Sequence, residues 1–159
     1  MDNNLSWAIY WASQGWKLFP SYWGVPKKMK DQTHMPLTSW STPEGTTTDP
    51  QVLHQWFERW GRNCYYCVDI IRSDVSCLDI DTKHDKNGPE ELRTLEALHG
   101  ALPVTLIVTT PSGGLHYWFS GSIRNTLSTI APGIDTPVMA PVPGSYIPGK
   151  GRYLINEVA

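Results

Sequence analysis

Val75-Ser76-Cys77-Leu78-Asp79-Ile80-Asp81 is a β-prone run that ends in a strict alternation of apolar and acidic residues. In an extended chain that alternation places Leu78 and Ile80 on one face and both carboxylates on the other. A second β-prone run, Cys64 to Ile71, lies just upstream. The three residues between them, Arg72-Ser73-Asp74, predict an antiparallel hairpin.

Working outward, Leu5, Ala8, Ile9 and Ala12 recur at helical spacing, with Asn3 or Asn4 to cap and Gly15 to close, so residues 4 to 14 predict a helix. A short strand, Lys17 to Pro20, follows. Residues 21 to 47 carry Pro26, Pro36, Pro43 and Gly45 without a sustained period and read as a long loop, the first place to look for ligand contacts. Thr48-Asp49-Pro50 supplies a cap with proline at the first helical position, and Leu53, Trp56, Phe57 and Trp60 form the stripe of a helix over about 50 to 60. Downstream of the acidic run, Pro89 begins a helix carrying Leu92, Leu95 and Leu98 and closed by Gly100. Val104 to Thr109 and Leu115 to Phe119 predict strands joined by Pro-Ser-Gly-Gly. Gly133-Ile134-Asp135, Val138 to Val142 and Tyr153 to Ile155 predict short strands between Pro- and Gly-rich turns. The fold class is α+β, in one domain over residues 1–159.

Composition narrows the function classes. The chain is 40% hydrophobic and 18% charged, enough for one ordinary core and too apolar for compositional disorder. Its net charge of -2 gives no whole-molecule attraction to nucleic acid or an acidic membrane, so any polyanion must be met by a local patch. The N-terminus is acidic and no apolar run approaches the roughly 20 residues that span a bilayer, so the expectation is a cytoplasmic protein without membrane contact. Seven of the eight tryptophans fall in the first sixty residues, where Lys27, Lys28 and Lys30 interleave with aromatics. That mixture suits phosphates and stacked bases, although by composition alone it reads first as core tryptophans beside a solvated lysine loop. Cys64, Cys67 and Cys77 are too few and too oddly numbered for a disulfide framework. Cys64-x-x-Cys67 lies in a strand-like run and has no second ligand pair, so the thiols read as buried strand residues rather than half of a zinc site.

Three elements carry chemistry. Asp79 and Asp81, about 6 to 7 Å apart along a strand, repel each other unless a cation sits between them, and hard oxygen ligands favour Mg²⁺ or Mn²⁺. In Pro111-Ser112-Gly113-Gly114-Leu115-His116-Tyr117-Trp118-Phe119 a glycine-rich turn able to cradle phosphate hands over to a strand. There Leu115, Tyr117 and Phe119 share one face, and His116 lies with Trp118 on the other. Ile134-Asp135 adds a later carboxylate. Each alone is weak: an isolated pair of acids is usually a solvated strand end, and a lone strand histidine is usually structural.

Together they resemble the bifunctional primase/polymerase (prim-pol) domain of the archaeo-eukaryotic primase superfamily, found in replication proteins of plasmids, phages and mobile elements. The resemblance runs over most of the chain. It includes Ala12-Ser13-Gln14-Gly15-Trp16-Lys17-Leu18-Phe19-Pro20, Thr46-Thr47-Thr48-Asp49-Pro50, Cys77 to Asp81, Leu102-Pro103-Val104-Thr105, Thr110 to Phe119, Gly133-Ile134-Asp135 and Ala140-Pro141-Val142-Pro143-Gly144-Ser145. It implies an RRM-like antiparallel sheet with helices on one side, and Mg²⁺ or Mn²⁺ held by Asp79, Asp81 and Asp135. It implies His116 on the phosphates of the incoming nucleotide, with the Ser112, Gly113 and Gly114 turn, Arg72 and Lys83 as further nucleotide-binding candidates. The activity implied is template-dependent nucleotidyl transfer: a DNA primase and polymerase acting on a single-stranded DNA template with NTP or dNTP substrates. A helicase in the same or another chain is a further implied partner.

The chain departs from many relatives after the later acid, where Asp135-Thr136-Pro137-Val138-Met139 lacks their arginine and paired glycines. Two other readings stay open on the residues alone: a catalytically silent module that binds single strands or nucleotides, and a metal-dependent nuclease. The absence of His-x-His counts against a rolling-circle nicking enzyme. The absence of GxxxxGK[ST] excludes a P-loop ATPase within this sequence.

Overall fold

The computed structural model describes residues 3–83, 85–123 and 130–156. The first helix, α1, spans Asn4–Ser13; the Asn3 side chain accepts from Ser6 N at 2.8 Å, and Leu5, Ala8, Trp11 and Ala12 form its buried stripe. Strands β1 (Leu18–Gly24) and β2 (Thr33–Pro36) follow. Helix α2 (Pro50–Trp60) starts as the cap predicts, with Asp49 accepting from Gln51 N at 2.9 Å and Pro50 where no intrahelical donor is needed. Then come β3 (Tyr65–Asp69), β4 (Val75–Ile80), α3 (Gly88–His99), β5 (Leu106–Thr109) and β6 (Leu115–Ser120). The C-terminal third holds β7 (Ile134–Asp135), β8 (Met139–Pro141), β9 (Tyr146–Ile147), β10 (Gly151–Arg152) and β11 (Leu154–Ile155). Residues 21 to 47 are therefore not one loop, since β1 runs on to Gly24 and β2 returns beside it, pairing Trp23 with His34.

The strands form two main sheets, ordered β2-β1-β3-β8 and β11-β5-β6-β4-β7, and a small β9-β10 ribbon. Every pairing among the described residues is antiparallel, so the mixed helix and antiparallel-sheet class holds. The predicted hairpin does not form. The run from Cys64 pairs through β3 with β1 and β8, whereas β4 pairs with β6 and β7 in the other sheet. The Arg72-Ser73-Asp74 connection is a crossing between sheets, pinned by Lys17 N donating to Ser73 Oγ and Gly121 N to Asp74 O, both at 2.8 Å. Both runs are strands, but each satisfies its ladder with partners distant in sequence, which a local pattern does not encode.

In the larger sheet α3 joins β4 to β5 while β6 lies between those two strands. Leu78, Ile80, Leu115 and Tyr117 face α3 and pack with Leu92, Leu95 and Ile134 in a small core. The opposite face joins the main core, which both sheets and helices α1 and α2 share. Most of the tryptophan-rich N-terminal part is packed there, with Trp11 stacked on Trp16 at 4.4 Å between ring centroids and Phe19 on Trp40 at 4.9 Å. Lys27, Lys28 and Lys30 are exposed. Cys64, one residue before β3, Cys67 within it and Cys77 in β4 are all buried free thiols. The helices do not share one side of one sheet: α3 covers the larger sheet, while α1 contacts α2 and β3.

Candidate active site

Strand register builds the site. Asp79 on β4 stands directly opposite His116 on β6 and, on its other side, directly opposite Asp135 on β7. Opposed residues of antiparallel strands project from the same face with Cβ atoms about 4.5–5.5 Å apart, so the three side chains form one row across three strands. His116 Nε2 lies 3.5 Å from Asp79 Oδ1. The imidazole is sunk beneath the carboxylate, at 7% side-chain exposure against 33% for Asp79. Its Nδ1 is buried with no hydrogen-bond partner among the described residues, a costly state for a core histidine and a natural one for a residue that serves a ligand.

Asp81 lies one residue past β4, where two glycines grip its backbone. Its amide donates to Gly133 O at 2.7 Å and its carbonyl accepts from Gly88 N at 3.0 Å. A Cβ on Gly88 would stand 2.6 Å from Gly133 O and 2.7 Å from Asp81 O, so only hydrogen fits there. The carboxylate accepts from Lys83 N at 2.9 Å, and Lys86 Nζ stands 4.0 Å from its other oxygen. The 110–114 turn is pressed on the end of β4, where a Cβ on Gly114 would come within 2.6 Å of Ile80 O.

A cavity of about 250 Å³ opens over this arrangement. Asp79, Asp81, Lys83, Ser112, Gly114 and His116 line it, so the structure brings together most of the residues singled out from sequence. Asp135 joins the row through β7 without lining the cavity. Gly113 does not line it either: its amide is turned inward to Thr110 O at 2.9 Å, at a positive φ of 89°. Arg72 is elsewhere. Its guanidinium donates to the Trp40 and Ser41 carbonyls and lies 3.3 Å from Asp69 Oδ2, so it ties the 40–41 segment to the inter-sheet crossing.

The rest of the lining was not foreseen: it includes His34 from β2, Met139 and Ala140 from β8, Lys150 from the turn between β9 and β10, and Tyr153 just after β10, whose ring lies 5.7 Å from that of His116. His34 is hydrogen-bonded to the Tyr65 hydroxyl at 2.6 Å, and burial, then Lys150, push its pKa down to about 3, which leaves the ring neutral. Burial, and then Lys83, lower the Lys150 pKa to about 8. His34 gave no signal within an irregular stretch. The lysine between Gly149 and Gly151, downstream of Asp135, was the one available hint of Lys150.

A divalent metal is the cofactor such acids suggest. Among the described residues no group of three His, Cys, Asp or Glu side chains stands ready to hold one. The donor chemistry fits nonetheless. Asp79, Asp81 and Asp135 offer only hard carboxylate oxygens, two of them on facing strands, and the buried thiols belong to the core.

A family model described as bifunctional DNA primase/polymerase, N-terminal, matches residues 8–157. The chain belongs to the Prim-Pol family. Prim-Pol domains are in general primase/polymerase-type nucleotidyltransferases that use divalent metals. No curated protein matches the chain. The Prim-Pol match takes in the whole lining of the cavity, from His34 to Tyr153. Among the described residues, no helix of this Prim-Pol chain is long and apolar enough to cross a membrane.

Proposed function

We propose that the chain is a template-dependent nucleotidyltransferase that makes or extends primers on single-stranded DNA from NTPs or dNTPs, with residues 1–159 as its catalytic domain. The observation that carries this reading is the row His116, Asp79, Asp135 in strand register beside a cavity that also takes in Asp81, Lys83, Ser112 and Gly114. The strand order β5-β6-β4-β7, with α3 crossing over the intervening strand, supports an RRM-like core as its scaffold.

Asp79, Asp81 and Asp135 hold Mg²⁺ or Mn²⁺ in this reading. When bound, such an ion activates an attacking 3'-hydroxyl and neutralises charge on the triphosphate during in-line displacement. The chain's own groups do the rest. The Gly88 and Gly133 clamp fixes the Asp81 backbone, so its carboxylate is presented without a conformational search. His116 serves as a donor to a phosphate oxygen rather than as a general base, its buried Nδ1 being without a hydrogen-bond partner among the described residues. Ser112 and Lys83, at the cavity edge, meet the same polyanion.

The test is synthesis. The protein is incubated with single-stranded template, NTPs or dNTPs, and Mg²⁺ or Mn²⁺, with and without an annealed primer. New oligonucleotides or an extended primer, abolished by EDTA, are expected. No product with any nucleotide and metal, from protein shown to be folded, would remove the reading.

A further inference from the structure

A cation, Lys150, shares the cavity with the acids. Lys150 Nζ sits 4.1 Å above the centroid of the Trp23 ring and donates to the Tyr153 hydroxyl at 2.9 Å. Among the described residues no carboxylate pairs with it, although Lys86, Arg72 and His116 each have an acid within 4 Å. An ammonium has three donors, and one is used. A half-buried charge without a partner is unfavourable unless something of opposite sign completes it.

The chain spends structure on keeping Lys150 there. It lies in the tight turn between β9 and β10, with Lys150 N donating to Ile147 O at 2.9 Å. Gly149 and Gly151 on either side take positive φ values of 81° and 130° that other residues rarely adopt. A Cβ on Gly151 would be 3.1 Å from Pro111 Cβ, so the turn is seated against the one that carries Ser112 and Gly114. Trp23 and His34, paired across β1 and β2, back the ammonium from the other sheet. Lys83, His34 and His116 add nitrogen groups around the same cavity, which Asp79 and Asp81 also line.

From this geometry we infer that Lys150, backed by Trp23 and Tyr153, forms a second subsite that binds the outer phosphates of a nucleoside triphosphate, in the cavity that Asp79 and Asp81 also line. The inference rests on the reading of this cavity as the nucleotide site. Ser112, Gly114, His116 and Lys150 would all meet the phosphate chain, Lys150 at its outer end. Affinity should therefore grow with the number of phosphates, and the increment should depend on Lys150.

The experiment measures equilibrium binding of dATP, dADP and dAMP to the full chain by competition with a fluorescent dATP analogue, without turnover. Wild type and Lys150→Arg should bind dATP more tightly than dAMP, and Lys150→Met should lose about tenfold or more of that preference while binding dAMP as before. Inorganic tripolyphosphate should compete on wild type and poorly on Lys150→Met. Melting curves establish that each variant is folded, and Lys150→Gln replaces Lys150→Met if the latter is not. An unchanged dATP preference in the neutral variant overturns the Lys150 subsite alone. Wild type with no affinity for any of the three nucleotides overturns the nucleotide reading along with it.

Discussion

Asp79 and Asp135 stand directly opposite each other on adjacent antiparallel strands, so two carboxylates whose residues are 56 positions apart in sequence share one face of the sheet. Neither acid serves the core, and each costs the fold repulsion rather than supplying packing. Replacing Asp79 or Asp81 by Ala should abolish nucleotidyl transfer while the melting temperature moves by no more than a few degrees, about 1 kcal/mol for a domain of this size. Losing even an outer partner of a metal ligand costs about 10–100-fold, so the loss here should exceed roughly a hundredfold. Primer-extension rates in Mg²⁺ and in Mn²⁺ check this, and wild-type rates in either variant would remove the assignment.

His116→Ala separates binding from chemistry. The side chain contributes a donor to phosphate in the proposed reading, so KM for the nucleotide should rise by about 2 kcal/mol, roughly thirtyfold. A steady-state titration of dNTP at fixed primer and template measures it. Unchanged KM and kcat in a folded variant would return His116 to a purely structural role.

How much of this was legible follows from what each residue's neighbours are. The alternation Leu78, Asp79, Ile80, Asp81 and the matching alternation around His116 fixed which side chains face α3 and which face the cavity, because strand period is local. Helix α2 was equally plain, since Asp49 and Pro50 act within one turn. Pairing was not legible. The Cys64 to Ile71 run looked like the partner of β4, yet its partners are residues 18–21 and 139–141, and nothing in a three-residue connection reveals that it changes sheets. The surroundings of Arg72 were hidden for the same reason: its neighbours, Trp40 and Ser41, arrive from a distant segment. Lys150 and His34 belong to short, irregular stretches whose meaning comes only from the cavity they line.

Gly133→Ala should weaken the grip on Asp81. Gly133 takes φ of 81°, and a Cβ there would stand 2.8 Å from Gly88 N and 3.0 Å from Asp81 O, which are backbone atoms and cannot swing away. Gly100 has a similar φ of 97° with open space around it, so Gly100→Ala meets only the backbone strain. Urea denaturation should show Gly133→Ala as the more destabilised of the two, the shared strain being about 1 kcal/mol. Gly133→Ala alone should also lose primer extension under conditions where it remains folded. Equal stability and activity in the two variants would mean that the clamp does not position Asp81.

The thiols give a test of the metal class. Burial raises the pKa of Cys64 and of Cys67 to about 12 and that of Cys77 well above the ordinary thiol value. All three therefore stay protonated at pH 8 and are poor zinc ligands. Purified protein should carry no stoichiometric zinc, native protein should react slowly with a thiol reagent, and guanidinium should expose all three thiols. EDTA should stop synthesis without lowering the melting temperature. One tightly held zinc per chain, lost in a Cys64→Ser, Cys67→Ser variant, would move the cysteines from the core to a metal site.

The pH dependence of nucleotide binding tests Lys150 from another direction. Burial first, and Lys83 second, bring its pKa down to about 8, while Cys67, Asp79 and Asp81 pull it back up. His34, with its pKa near 3, stays neutral above pH 6, and burial raises the Tyr153 pKa above the ordinary phenol range, so neither changes charge between pH 7 and 9. A bound polyanion favours the charged ammonium, so the Lys150 pKa must be higher in the complex than in the free protein. Triphosphate affinity should accordingly be level below about pH 8 and fall as pH rises beyond it, because the free protein then has to take up a proton in order to bind. Lys150→Arg, whose charge persists throughout that range, should remove the fall, and dAMP, which does not reach the subsite, should show little of it. Competition binding between pH 6.5 and 9.5 measures all three curves. A dATP affinity that declines equally in wild type and Lys150→Arg would assign the titration to another group and take the ammonium out of the site.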